Sequence, residues 1–144
     1  MTFAILVSEG EKLYLKKLFQ CMGYVIELPE NEIGMGSELV SCMPGFIAAI
    51  FSEICVSAKK HTNISEEAIV QMVMNTMVGT GELMLANNYS FEEVISRVAT
   101  RGGITEEGTK VIHEQLPKVT DELFDKTLEK RRLTTINAQK MFDE

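Results

Sequence analysis

Histidine, cysteine and proline are all scarce in this sequence: two, three and three among 144 residues. The histidines, His61 and His113, lie far apart, and neither has a metal-ligand partner nearby in the chain. Both read as ordinary polar-face residues, so no metal site is expected. Cys21, Cys42 and Cys55 are odd in number and show no C-x-x-C spacing, which argues against a disulfide framework or a zinc site. Cys42 and Cys55 stand among apolar residues and read as buried thiols. Three prolines with a hydrophobic share of 45% exclude a disordered chain and describe a globular one. Positive charge is also in deficit, with 14 basic against 21 acidic residues and a net charge of −7. Nucleic acid is therefore not expected as a partner, because phosphate binding needs a basic face. The densest basic run, Lys126 to Arg132, is interrupted by Glu129 and reads as the solvated face of a C-terminal helix. Phe3–Val7 is too short for a secretory apolar region and lacks a basic start. No uninterrupted apolar run reaches membrane-spanning length, so a soluble cytoplasmic protein without a membrane partner is expected.

What is present begins as strand, helix, strand. Phe3–Val7 is short, apolar and partly β-branched, which predicts a buried strand. Ser8 with Glu11 three residues on is a capping-box pattern. Leu15, Leu18, Phe19 and Met22 follow at helical spacing, and Gly23 supplies a stop. Tyr24–Leu28 reads as a second strand closed by Pro29. Two strands make a marginal sheet, so this opening reads as the last edge of a larger α/β domain.

The remainder is helical. Residues 30–41 predict a helix weakened by Gly34 and Gly36, and Pro44 suits the first turn of the next. Phe46, Ile47, Ile50, Phe51, Ile54, Cys55 and Ala58 then form one broad apolar stripe ending near Lys60. Ser65-Glu66-Glu67 opens another helix with an N-cap and an acidic first turn, running to about Asn87. Ser90 with Glu93 is a second capping box. After the pair Gly102-Gly103, a helix is expected from Thr105 to Leu116, punctuated by Pro117. A last helix then runs at least to Arg132.

The helix at 66–87 is apolar most of the way round: Ile69, Val70, Met72, Val73, Met74, Met77, Val78, Leu83, Met84 and Leu85 do not keep to one stripe. Such a helix must be covered on all sides. A domain of this size rarely surrounds one, so a second copy of the chain is the expected cover, with Gly79 and Gly81 permitting close approach. The plainer alternative is that the methionines are intrachain core.

Three stretches in this order resemble one family. "CMPGFIAAIFSEICVSAKK" is similar to the Ser-Gly-Pro-Ala-Tyr helix start of pyrroline-5-carboxylate reductases and the long helix after it. "ISEEAIVQMVMNTMVGTGELM" is similar to their central dimerisation helix. "VATRGGITEEG" resembles their Val-Thr-Ser-Pro-Gly-Gly-Thr-Thr-x-x-Gly signature. The resemblance implies a mainly α chain: a helical-bundle dimerisation and substrate-pocket domain over 30–144, of the 6-phosphogluconate dehydrogenase C-terminal type. It implies a β-α-β remnant of a Rossmann domain over 1–29, a homodimer through helices at about 44–87, and a small carboxylate ligand. Its signature places substrate contacts at Val98, Thr100, Gly102, Gly103 and Thr105. Exposed N–H groups at a helix N-terminus favour such an anion.

Three departures qualify the resemblance. NAD(P)H is the cofactor implied for a full-length member, yet no G-x-G-x-x-G follows a strand here, and neither Gly34-x-Gly36 nor Gly79-x-Gly81 substitutes. No cofactor-binding residue is therefore assigned to this chain. At the signature, Arg101 replaces proline and Ile104 replaces the first threonine, whose hydroxyl the resemblance implies helps protonate the pyrroline nitrogen. No catalytic residue is expected intact, and Thr105 is expected to act as the N-cap of the next helix. Where the resemblance implies Ser-Gly-Ser-Gly-Pro-Ala-Tyr, this chain reads Val40-Ser41-Cys42-Met43-Pro44-Gly45-Phe46, so both glycines before the proline are lost and Met43 would crowd the backbone. These changes resemble a divergent branch of the family found among late-competence genes. Three readings follow: a dimerisation and pocket portion inactive as this chain, an intact reductase once a cofactor domain is supplied, or a catalytically degenerate helical interaction or regulatory protein of the competence type.

Overall fold

The computed structural model describes residues 8–142. The helical class expected from the sequence holds throughout them. In order they form α1 (Glu9–Gln20), a 3₁₀ turn (Glu30–Glu32), α2 (Ile33–Ser37), a π-turn (Glu38–Cys42), α3 (Met43–Lys59), α4 (Glu66–Asn87), α5 (Phe91–Val98) and α6 (Ile104–Phe142). The chain groups into two compact units, one made of residues up to Met43 with those from Thr127 on, the other of Pro44–Lys126.

In the first unit, α1 starts on the Ser8–Glu11 capping box, with the Ser8 N–H donating to Glu11 Oε2 at 2.9 Å. The strand expected at Phe3–Val7 lies outside the described residues. The strand expected at Tyr24–Leu28 does not form: the segment is irregular, and no strand occurs among the described residues. Among the described residues this segment meets no strand that could pair with its N–H and C=O groups. It is tied to α1 by Glu27, which meets Lys12 at 3.1 Å and Lys16 at 2.6 Å. Exposed pairs of this kind add little stability.

Of the two glycines expected to weaken the helix at 30–41, Gly36 is closely packed and Gly34 is in ordinary contact. A Cβ at Gly36 would run into the Leu28 side chain, and one at Gly34 would sit 3.6 Å from the Arg131 side chain and 3.7 Å from that of Leu128. The π-turn follows, immediately before Pro44. Proline cannot donate to the carbonyl four residues back, and a widened turn accommodates that loss. The result is one continuous helical run, Glu30–Lys59, whose 18-residue window reaches a mean hydropathy of 1.9. By length and composition alone it is apolar enough to cross a membrane, a property that core helices of soluble proteins share.

In the second unit, Ser65 caps α4 by accepting from the Ala68 N–H at 3.3 Å. Asn88, left-handed at φ 53°, ends it. Ser90 and Glu93 form the expected capping box on α5. The expectation of a helix break at Pro117 is corrected, because α6 runs straight through it. The carbonyl of His113 loses its helical donor there, but His113 is exposed and water can serve it. The Thr120 hydroxyl donates to the Leu116 and Pro117 carbonyls at 3.1 and 2.9 Å.

Along α4 the single buried residue is Ile69. Val70 remains 47% exposed, Met74 46% and Leu85 87%, so the chain by itself does not cover this helix. The methionines are therefore not simply intrachain core. Cys42 and Cys55 are half-buried rather than buried.

Candidate functional site

Two features of the second unit bear on function. The first is an apolar groove of about 810 Å³ along α3 and α4. Pro44, Ile47, Phe51 and Cys55 line it from α3, and Ile69, Val70, Val73, Met74 and Met77 from α4. Lys59 and Glu66 mark its polar end. The i, i+3/i+4, i+7 spacing of these residues puts them on one stripe of each helix, and several of them stay half-exposed along the groove.

The second is the turn between α5 and α6. The Gly103 N–H donates to the Thr100 carbonyl at 2.8 Å, which closes a four-residue turn over Thr100-Arg101-Gly102-Gly103. Gly102 holds φ +72°, the left-handed value a type II turn requires at its third residue. A Cβ at Gly103 would collide with Thr100 Oγ1 and stand 2.9 Å from the Thr100 carbonyl oxygen. Both glycines are thus required by geometry, for different reasons. Gly103→Ala is expected to open the turn and lower Tm, whereas Gly108→Ala on α6, where a Cβ meets nothing within 4 Å, should raise stability by about 1 kcal/mol. Thermal unfolding of the two variants followed by circular dichroism checks this contrast.

The turn gathers four of the predicted contact residues, Thr100, Gly102, Gly103 and Thr105. Val98 is the last residue of α5 and is 62% exposed. Ile104 opens α6 and is 94% exposed, with no apolar cover in this chain. Thr105 is not the N-cap: α6 starts one residue earlier, and its first backbone bond runs from the Glu107 N–H to the Gly103 carbonyl at 3.2 Å. The cap position falls on Gly103, because the turn delivers the chain in helical conformation at Ile104. The half-buried Thr105 side chain therefore keeps its hydroxyl out of capping. Sequence reading missed Glu106, whose carboxylate accepts the Gly102 N–H. An acid three residues past a glycine cap was the available signal.

A further cluster lies in the first unit, between the π-turn and the end of α6. Glu38, on the π-turn, is 2% exposed. Arg131 donates to its Oε1 from Nε at 3.0 Å and from Nη2 at 2.7 Å, and to Ser37 Oγ at 3.1 Å. The guanidinium holds the Glu38 carboxyl below its ordinary range, while burial and then the Glu38 charge push the Cys42 thiol up. Cys42 is accordingly a poor nucleophile at neutral pH. No local sequence signal marks this pair, whose members are 93 residues apart. Elsewhere in the basic run at 126–132, Lys126 pairs with Glu122 and Arg132 with Glu129 at the surface.

Comparison with known proteins bears on these elements together. The family described as pyrroline-5-carboxylate reductase dimerisation matches residues 30–133, which include the groove, the turn and Arg131. Pyrroline-5-carboxylate reductase 3 of Bacillus subtilis is 42% identical over 129 residues, spanning 90% of this chain and 47% of that protein. ComE operon protein 4 of the same organism is 24% identical over 127 residues, spanning 88% of this chain and 46% of that one. A solved pyrroline carboxylate reductase of Plasmodium falciparum with NADP bound shares the fold, with a TM-score of 0.71 at 20% identity over 88% of this chain and 48% of its own. The chain spans about half the length of the curated relatives it matches.

Proposed function

Because the chain belongs to the pyrroline-5-carboxylate reductase dimerisation family, we propose that it serves as the dimerisation and substrate-pocket portion of an NAD(P)H oxidoreductase acting on a cyclic imine carboxylate in proline biosynthesis. The observation that carries this is the Thr100–Gly103 turn, which two glycines allow to close at the head of a 39-residue helix. In this reading residues 30–144 form the dimerisation and pocket domain, residues 1–29 belong to the edge of a cofactor domain, and the protein is cytoplasmic.

Each part has a physical role. A second copy of the chain covers the α3–α4 groove, giving a homodimer through helices at about 44–87. The turn seats the substrate carboxylate, since the amides that precede the helical ladder and the helix dipole both favour an anion. Ile104 offers no proton or hydrogen bond. Thr105, outside the cap, is the hydroxyl at the turn that remains to meet the ring nitrogen. Thr100 flanks the carboxylate and Val98 the ring. The described residues do not fit a dinucleotide: they hold no strand, and the sequence holds no G-x-G-x-x-G. No cofactor-binding residue is therefore placed in this chain, and none of its residues is given a role in hydride transfer.

The match to ComE operon protein 4 favours a second reading, in which fold and dimer persist as a regulatory or interaction protein without turnover. Titrating the ¹⁵N-labelled chain with L-proline separates the two. Shifts at Gly102, Gly103 and Thr105 are expected at millimolar ligand, with Thr105→Val weakening the response several-fold. A chain whose turn amides ignore the carboxylate would leave the second reading standing.

A further inference from the structure

The turn already holds a carboxylate. Gly103 spends its N–H on the Thr100 carbonyl, and the N–H of Gly102 is taken by the side chain of Glu106. Glu106 lies in the first turn of α6, half-buried, three residues beyond Gly103. Its reach back differs from an ordinary capping box, in which the acid bonds the cap residue's own N–H, as Glu11 does with Ser8 and Glu93 with Ser90. Here the acid passes over Gly103, whose N–H is spent, and ends on the glycine at positive φ.

We propose that Glu106 is a built-in competitor for carboxylate ligands at this turn. The inference rests on the reading of the turn as a carboxylate seat. An incoming carboxylate and the Glu106 carboxylate want the same donor, the Gly102 N–H. They cannot share it, because two like charges within hydrogen-bonding distance of one proton repel. The ligand must displace Glu106, which then exchanges its protein donor for water. Seating an anion therefore costs the hydrogen bond between Glu106 and Gly102, a charge-assisted contact of the stronger kind. The residue sets a threshold: anionic ligands bind more weakly than the bare turn would bind them, and ligands without a carboxylate gain nothing from its removal. Glu106 acts as a gate on affinity and is not a catalytic residue.

The test is binding to the full chain, comparing wild type, Glu106→Ala and Glu106→Gln, with L-proline as the carboxylate probe and L-prolinamide as the probe lacking it. The Gly102 and Thr105 amide resonances report the site. Glu106→Ala is expected to bind L-proline about tenfold more tightly, with Glu106→Gln between it and wild type and L-prolinamide unchanged. A residue that merely caps the helix would lower Tm and leave the ratio of the two affinities where it was. Wild-type binding of L-proline with no gain in either variant overturns the competitor role and leaves the carboxylate seat intact. Absence of any L-proline response at these amides in all three proteins overturns the seat, and the competitor role with it. If Glu106→Ala loses helicity, Glu106→Gln decides, since it removes the charge while keeping an acceptor for the Gly102 N–H.

Discussion

Val70→Asp is expected to convert the protein from a dimer to a monomer at micromolar concentration. Val70 lines the α3–α4 groove and is 47% exposed in the single chain, as is Met74 at 46%. Fully covering such a side chain gains about 1.5–3 kcal/mol. An aspartate in the same seam must be stripped of water with no partner, at a cost of several kcal/mol. In a two-fold dimer the substitution occurs twice. Together these weaken association by about 1,000-fold or more. Sedimentation velocity of both proteins reads the outcome, with far-ultraviolet circular dichroism to establish that the helices persist. A wild-type chain that sediments as a monomer, or a Val70→Asp chain that stays dimeric, would remove the groove from the dimer interface.

The second large effect is expected at the Glu38–Arg131 pair. Arg131→Met leaves the Glu38 carboxylate 2% exposed without its guanidinium, and should lower Tm at pH 7 by roughly 5 °C or more. The double variant Glu38→Met/Arg131→Met should recover much of that loss, because apolar groups of similar volume replace a buried pair at little cost. The pH dependence separates these cases. Arg131 holds the folded pKa of Glu38 below its ordinary value of 4.5. The pair's stabilisation is therefore complete above about pH 4.5 and is lost as pH falls through the folded value. Without Arg131, burial pushes the same carboxyl upward, and the sign reverses: the single variant should gain stability relative to wild type on acidification. Thermal melts at pH 7 and pH 4 give both comparisons. Equal losses in the single and double variants would mean that Arg131 contributes packing rather than charge. The covered carbon stem makes that a concrete alternative, since Arg131 also lies against Gly34.

The caps were legible because they are local. Ser8 with Glu11, Ser65 with its acidic turn and Ser90 with Glu93 each satisfy amides within three residues, and each forms where the sequence places it. The excess of apolar surface on α4 was legible for the same reason: a helix apolar most of the way round needs cover that a domain of this size rarely supplies. The misreadings share the opposite cause. Tyr24–Leu28 has strand composition, but among the described residues no strand lies beside it to pair with. Pro117 has helix-breaking chemistry, yet its cost of about 3 kcal/mol is met where the freed carbonyl faces water and the turns on either side hold. Thr105 has the chemistry of a cap, but the preceding turn decides where the helix begins.

By itself the sequence determined the helical class, the positions of the caps, the order of the family's motifs and the presence of an uncovered apolar helix. Periodicity and side-chain-to-amide bonds act within a few residues, and a chain carries those wherever it goes. Only the tertiary structure decided that Glu38 meets Arg131, that α3 and α4 leave a groove, and that the Gly102 N–H is taken by Glu106. The first two depend on contacts between distant parts of the chain. The third depends on the left-handed Gly102, whose N–H is aimed by the fold rather than by any residue's preference.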